Sequence, residues 1–210
     1  RKPSIHQMIS TGDIILFART TSVFDWLIRW VTSSPYTHVG IAIVNPPNLE
    51  PGTYIIESSM EEKPDVVTGK AVLGVQVQPL EEALRNHGAA SLCRLQLDIP
   101  ERETDLCSRL WNCESRVHTR PYDLNPIDWL KAELYLMDSK LVREQQTHSF
   151  WCSALCAYLY VKLGFLPPCV PWTLISPSAW APKGCLRSML LGCHLSEPVA
   201  LDIALGGKRD

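Results

Sequence analysis

His38, Glu57 and Cys152 are the side chains of this 210-residue sequence whose types could together perform nucleophilic chemistry. A cysteine attacks as its thiolate, a histidine takes the proton and holds the ion pair, and a third polar group fixes the imidazole through its other nitrogen. Cys152 stands where an apolar run begins, in the stretch from His148 to Gly164. Ser149 is the expected N-cap, Leu155 to Leu163 supplies a buried helical face, and Gly164 suits the C′ position. A thiol in the first turn of that helix feels the positive end of its dipole, which favours the thiolate. Most helical cysteines only pack, and Cys156, one turn further in, is expected to be one of them.

The partners must come from elements that can reach a helix start. Tyr36 to Val44 reads as a strand with Val39, Ile41 and Ile43 on one face and His38, Gly40 and Ala42 on the other. The small residues of the second face leave room beside His38 for another element or a ligand. A Pro-rich loop leads to Thr53–Ser59, the returning strand of an antiparallel pair. With Val44 opposite Thr53, His38 lies opposite Ser59 and diagonal to Glu57, whereas a two-residue shift sets His38 directly opposite Glu57. Both registers put imidazole and carboxylate on one face; a one-residue slip separates them. His148 is a competing base, but its place at or before the helix cap defines its geometry less well than the strand defines His38. The backbone N–H groups of Cys152 and Ser153 would lie where an oxyanion forms.

Around these elements, residues 1–11 read as a polar arm, and Gly12-Asp13 as a turn into the strand Ile14–Phe17, with Asp13 a turn or capping residue. Val23 to Val31 carries a helical pattern with Trp26 and Trp30 on its flank, ended by Pro35. Met60 to Thr68 reads as a charged loop, Gly74–Pro79 as a strand, Leu80–Asn86 as a short helix, Ala90–Ile99 as one strand and 101–118 as a helix. Arg120 to Asp123 is an expected exposed turn, and 124–146 fits a helix broken near Asp138-Ser139. Beyond Gly164, Pro167, Pro168, Pro171, Pro177 and Pro182 predict surface loops with short helices rather than a second domain.

Composition narrows the function classes. With 46% hydrophobic and 20% charged residues the chain is an ordinary globular one, and a net charge of −2 gives no electrostatic footprint for nucleic acid. No uncharged apolar run is long enough to span a membrane. Eight cysteines without a Cys-x-x-Cys pair or a matching histidine pair predict neither a disulfide scaffold nor a zinc site, but reduced thiols and a cytoplasmic setting. No metal and no cofactor are expected.

Several of these segments carry a resemblance. Gly12–Leu16, Tyr36–Ile41, Tyr54–Ser58, Gly74–Val77 and Phe150–Leu155 resemble the circularly permuted, papain-like members of the NlpC-type cysteine hydrolases. That group includes YiiX/YebB-like amidases and poxviral relatives, with lecithin retinol acyltransferase-like proteins more distant. The scattered motifs span roughly residues 12 to 180. The resemblance implies an α+β, permuted papain-like fold in which an antiparallel sheet bearing histidine and orienting residue packs on the cysteine helix. It implies His38, Glu57 and Cys152 as a catalytic triad and Tyr122, in a Tyr-Asp turn, as a cleft-lining residue; Tyr36 is a second cleft candidate. The domain would cover 12–185, with 124–146 as an insertion and 186–210 as a C-terminal extension. The function expected is a thiol hydrolase that cleaves an amide bond in a peptide or lipid-linked amide through an acyl-enzyme. One competing expectation is an acyltransferase or phospholipase-like acyl hydrolase, with peripheral membrane contact through Trp26, Trp30 and Trp172. The other is a catalytically idle binding module.

Overall fold

The computed structural model describes residues 8–18, 34–123 and 147–201, which form an antiparallel sheet flanked by three α-helices, an α+β arrangement. The strands are β1 (Ile14–Phe17), β2 (His38–Val44), β3 (Thr53–Pro64), β4 (Ala71–Pro79), β5 (Ala90–Cys93), β6 (Leu95–Leu97), β7 (Cys193–Leu195) and β8 (Val199–Leu201). The helices are α1 (Leu80–His87), α2 (Glu103–Glu114) and α3 (Cys152–Leu163). The main sheet runs β4-β3-β2-β1-β5-β8, and β6 pairs with β7 apart from it. The readings at 22–31, with Trp26 and Trp30, and at 124–146 lie outside the described residues.

Alternation along the strands divides the core into two layers. Ile14, Leu16, Val39, Ile41, Ile43 and Ile56 face α2 and α3. Ile15, Phe17, Ala42 and Ile55 face α1, which offers Leu80, Ala83 and Leu84. The element that occupies the small-residue face of β2 is therefore α1. Gly40 is required there, because a Cβ at this position would lie 2.6 Å from the Ile55 side chain.

Helix α3 is buried nearly all round, with only Val161 and Lys162 outside its buried set, because β2 and β3 cover one side and α2 with the C-terminal segment covers the other. Gly164 ends it in the left-handed region at φ 83°. The Phe165 N–H then reaches back to the Tyr160 carbonyl at 2.8 Å, closing a Schellman-type cap. At the other end the expected cap is corrected. The helix begins at Cys152 with extended Trp151 at the N-cap and no side-chain cap, so Ser149 does not fill that role. The indole of Trp151 and the hydroxyl of Ser153 instead both donate to the Ile175 carbonyl, at 2.9 and 2.6 Å. These bonds clamp the helix start to the C-terminal segment.

Other expectations are revised by pairing partners. Strand β3 continues through Pro64 across a bulge between Ser59 and Lys63, so most of the stretch read as a charged loop is sheet. The strand read at 90–99 breaks at Arg94, because Leu95 N–H is captured by the Asp13 carboxylate at 2.8 Å and the chain leaves the main sheet. The helix read at 101–118 is Glu103–Glu114. In the expected exposed turn, Arg120 and Pro121 are exposed, but the segment is also a strap, since the Arg120 carbonyl accepts from Val75 and the Pro121 carbonyl from Phe150. Within the expected N-terminal arm, Ile9 and Thr11 are buried. Three short 3-10 turns (Trp172–Leu174, Pro177–Trp180, Cys185–Met189) follow α3 as expected. The segment taken for an extension, however, contributes β7 and β8, and the main sheet ends only with β8.

Candidate active site

The β2–β3 ladder pairs Val44 with Thr53 and Ile41 with Ile56, which is the register that sets His38 diagonal to Glu57. The two side chains meet: His38 Nε2–H donates to Glu57 Oε2 at 2.6 Å. Glu57 lies on an inner strand and is 0% exposed, so it is no solvated edge glutamate. Its other oxygen accepts from Gln76 Nε2 at 3.2 Å and Gln78 Nε2 at 2.7 Å, both on β4. An ionised carboxylate with this many donors is satisfied despite its burial.

Cys152 reaches the imidazole from the other layer. His38 is the first residue of β2, so its ring stands at the end of the strand, where it feels the charge of Cys152, the first residue of α3. With Nε2 engaged by Glu57, Nδ1 is the ring nitrogen left to face the thiol. Burial opposes charge on His38, but the Cys152 thiolate and the Glu57 carboxylate, through charge and hydrogen bonding, push it up to about 10. Burial likewise opposes the Glu57 carboxylate, yet the charge and hydrogen bond of His38 hold it well below the ordinary range. Cys152 is 4% exposed and Cys156 0%; burial pushes the Cys156 thiol well above its usual range, as expected of a packing residue. At the first turn of α3, the N–H groups of Cys152 and Ser153 have no acceptor within the helix.

The remaining candidates fall around this trio. His148 is exposed. Tyr122 forms a bridge with Phe150, two residues before the cysteine. Tyr36 lines a cleft of ≈ 570 Å³ between residues 34–36 and 178–185, with Ser178 and Lys183 on the opposite wall. Trp172 is buried edge-on to Tyr158 and offers no exposed apolar face.

Two residues of the site are absent from the sequence reading. His87, the last residue of α1, stacks on His38 with ring centroids 4.6 Å apart, and Lys63 Nζ stands 2.9 Å from His87 Nε2. His87 follows Leu80, Ala83 and Leu84 at i, i+3, i+4 and i+7, so its buried side was legible; Lys63 was hidden in a stretch read as loop. His38, Glu57 and His87 place one ligand-type atom each within 4.8 Å of one another, a donor set suited to a divalent cation. The Lys63 ammonium, however, already occupies the His87 lone pair, and the residues do not fit a metal in this arrangement.

No protein-family model matches the sequence, and no curated protein matches it. Among solved structures the chain is similar to the metalloprotein YiiX from Escherichia coli O157:H7, at 18% identity and a TM-score of 0.49. The match covers 74% of this chain and 67% of that one.

Proposed function

We propose that the protein is a thiol hydrolase that cleaves an amide bond, in a peptide or a lipid-linked amide, through an acyl-enzyme on Cys152. The observation that carries this reading is the series of a helix-initiating thiol, an imidazole and a buried carboxylate, with His38 hydrogen-bonded to Glu57 and under the influence of Cys152. In the first step the Cys152 thiolate adds to the carbonyl carbon, while the N–H groups of Cys152 and Ser153 receive the oxyanion. As the C–N bond breaks, the His38 imidazolium gives its Nδ1 proton to the departing amine, leaving a thioester. Water then attacks the thioester, His38 taking a proton from the water, and the carboxylic acid leaves as the thiol is restored. Glu57 keeps its hydrogen bond at Nε2 throughout and holds the ring with Nδ1 toward sulfur.

On this reading the core is papain-like with a permuted order, base and orienter preceding the nucleophile, and it works in a cytoplasmic setting. Tyr36 and Tyr122 flank the approach. The buried Trp172 weakens the competing reading of a lipid acyl hydrolase or acyltransferase. The experiment is exposure of the full chain to a panel of acyl-amide probes, with peptide mass spectrometry at Cys152. A thioester adduct that is absent in Cys152→Ala and in His38→Ala is expected. Turnover of the panel by Cys152→Ala at the parent rate would sink the reading, and release of fatty acid from phospholipid vesicles would favour the acyl hydrolase.

A further inference from the structure

Glu57 is a buried anion whose partners extend beyond the imidazole it orients. Lys63 Nζ lies 4.0 Å from Glu57 Oε1 and 2.9 Å from His87 Nε2, with its own side chain 8% exposed. An ammonium has donors and no acceptor, so the Lys63 contact requires a lone pair on His87 Nε2. His87 is therefore the neutral Nδ1–H tautomer, and the 3.4 Å approach of its Nε2 to Glu57 Oε2 is not a hydrogen bond. Burial, first of all, pushes His87 below its ordinary value, in keeping with a neutral ring. The ring lies nearly parallel to His38, at 17°, and packs on Phe17.

We propose that Lys63 and His87 are positioning residues, the Lys63 ammonium being seated by His87 where a divalent cation would otherwise bind, so that Glu57 stays ionised and aimed at His38. The inference rests on the thiol-hydrolase reading and deepens it. Three facts fit together. The donor set His38, Glu57 and His87 converges as in a metal site, a fixed positive charge is supplied by the chain itself, and the β4 amides of Gln76 and Gln78 hold Glu57 Oε1 from the side. Glu57 thus sits between an imidazolium and an ammonium. The charged and titratable groups facing this assembly are His38 from β2, Glu57 and the half-exposed Glu61 from β3, and His87 from α1, with Cys152 and Cys156 from α3 beyond His38.

The test reads the rate of Cys152 alkylation by iodoacetamide against pH, by peptide mass spectrometry, in the full chain. The parent is compared with Lys63→Met, Lys63→Arg and His87→Phe, the last keeping an aromatic ring against Phe17 and His38. Lys63→Met is expected to lower alkylation below pH 7 at least tenfold and to move the rising limb to higher pH. Lys63→Arg should restore most of the rate, and His87→Phe should follow Lys63→Met. A purely structural role would move the melting temperature and leave the pH profile in place, and a folded Lys63→Met with the parent profile overturns the proposal. A measurement on the unmutated protein stands beside the variants: nitrogen NMR should find His87 Nε2 unprotonated near neutral pH, and a protonated Nε2 overturns the proposal. Treatment with EDTA should leave the parent profile unchanged; loss of low-pH reactivity that Zn²⁺ restores would show a metal in the place assigned to Lys63. If Cys152 of the parent titrates as an ordinary thiol, near about 8.5, the hydrolase reading fails as well. A depressed limb that ignores Lys63 and His87 removes this inference alone.

Discussion

At the scale of single residues, the site is an exchange of solvation for paired charge. Glu57 is fully buried, and His38, Gln76 and Gln78 supply the hydrogen bonds that water would otherwise give it. Replacing the carboxylate by its amide isostere keeps the shape and removes the charge that steadies the imidazolium. Glu57→Gln should therefore lower kcat/KM by about 10²–10⁴ and lower the thermal midpoint as well, because the neutral amide no longer offsets His38 and Lys63, as steady-state assay and calorimetry together would show. Glu57→Ala leaves the same two cationic partners uncompensated and removes the hydrogen-bond acceptor too. It should cost about 3–5 kcal/mol in urea unfolding, and an unchanged midpoint would contradict the account of the pocket. The pairing of His38 with Glu57 was legible because hydrophobic alternation admits few registers once Val44 faces Thr53. Lys63 was not, because Met60-Glu61-Glu62 preceding it has the composition of a loop while its backbone bonds belong to the sheet.

At the level of elements, a partly buried histidine on the far side of β4 from His38 in the chain, His118, fastens the framework. His118 bonds Glu114 of α2 through Nδ1 and Asp65 through Nε2, the latter at 3.1 Å. Asp65 in turn accepts from Val77 N–H at 2.9 Å, between the two glutamines that hold Glu57. Burial works against the charge on His118, but hydrogen bonds to Asp65 and Glu114 and their charges push it up to about 9. Because the folded value lies above the unfolded one, the stabilisation is complete below about 6.5 and is lost as pH rises through about 9. Discounted for solvent screening, the loss is about 1–2 kcal/mol. Thermal midpoints should fall between those pH values in the parent, and the slope should be shallower in His118→Gln. Gly74 offers a sharper mechanical test: at φ 132° its missing side chain leaves room for the Arg120 carbonyl, which a Cβ would strike. Gly74→Ala should detach the 120–123 strap and cost over about 2 kcal/mol, whereas Gly164→Ala, strained at φ 83° but in open space, should cost about 1 kcal/mol. The helix bearing Cys152 was legible from its apolar run and terminal glycine. Its start was misplaced because the cap is supplied from a distance, by the Ile175 carbonyl clamp on Trp151 and Ser153, and not by a local Ser149 signal.

For the whole molecule, the sheet brings chemistry from two layers to one end. The histidine and carboxylate lie on the face covered by α1, the cysteine arrives from the α3 layer, and they meet because His38 is the terminal residue of its strand. The pairings β1–β2, β2–β3 and β3–β4 join strands consecutive in the chain, but β5 lies beside β1, and β8 joins beside β5 from the far end of the chain, which local patterning could not foretell. Among the described residues no helix is long and apolar enough to cross a membrane. The proposed function stands or falls with Cys152 as a nucleophile held as a thiolate by His38, and the pH dependence of its alkylation, resolved from the other seven cysteines by peptide mass spectrometry, decides it. Fast labelling that is already at its plateau near neutral pH is expected, giving way to an ordinary thiol profile in His38→Ala. A Cys152 that titrates near about 8.5 in both proteins would contradict it.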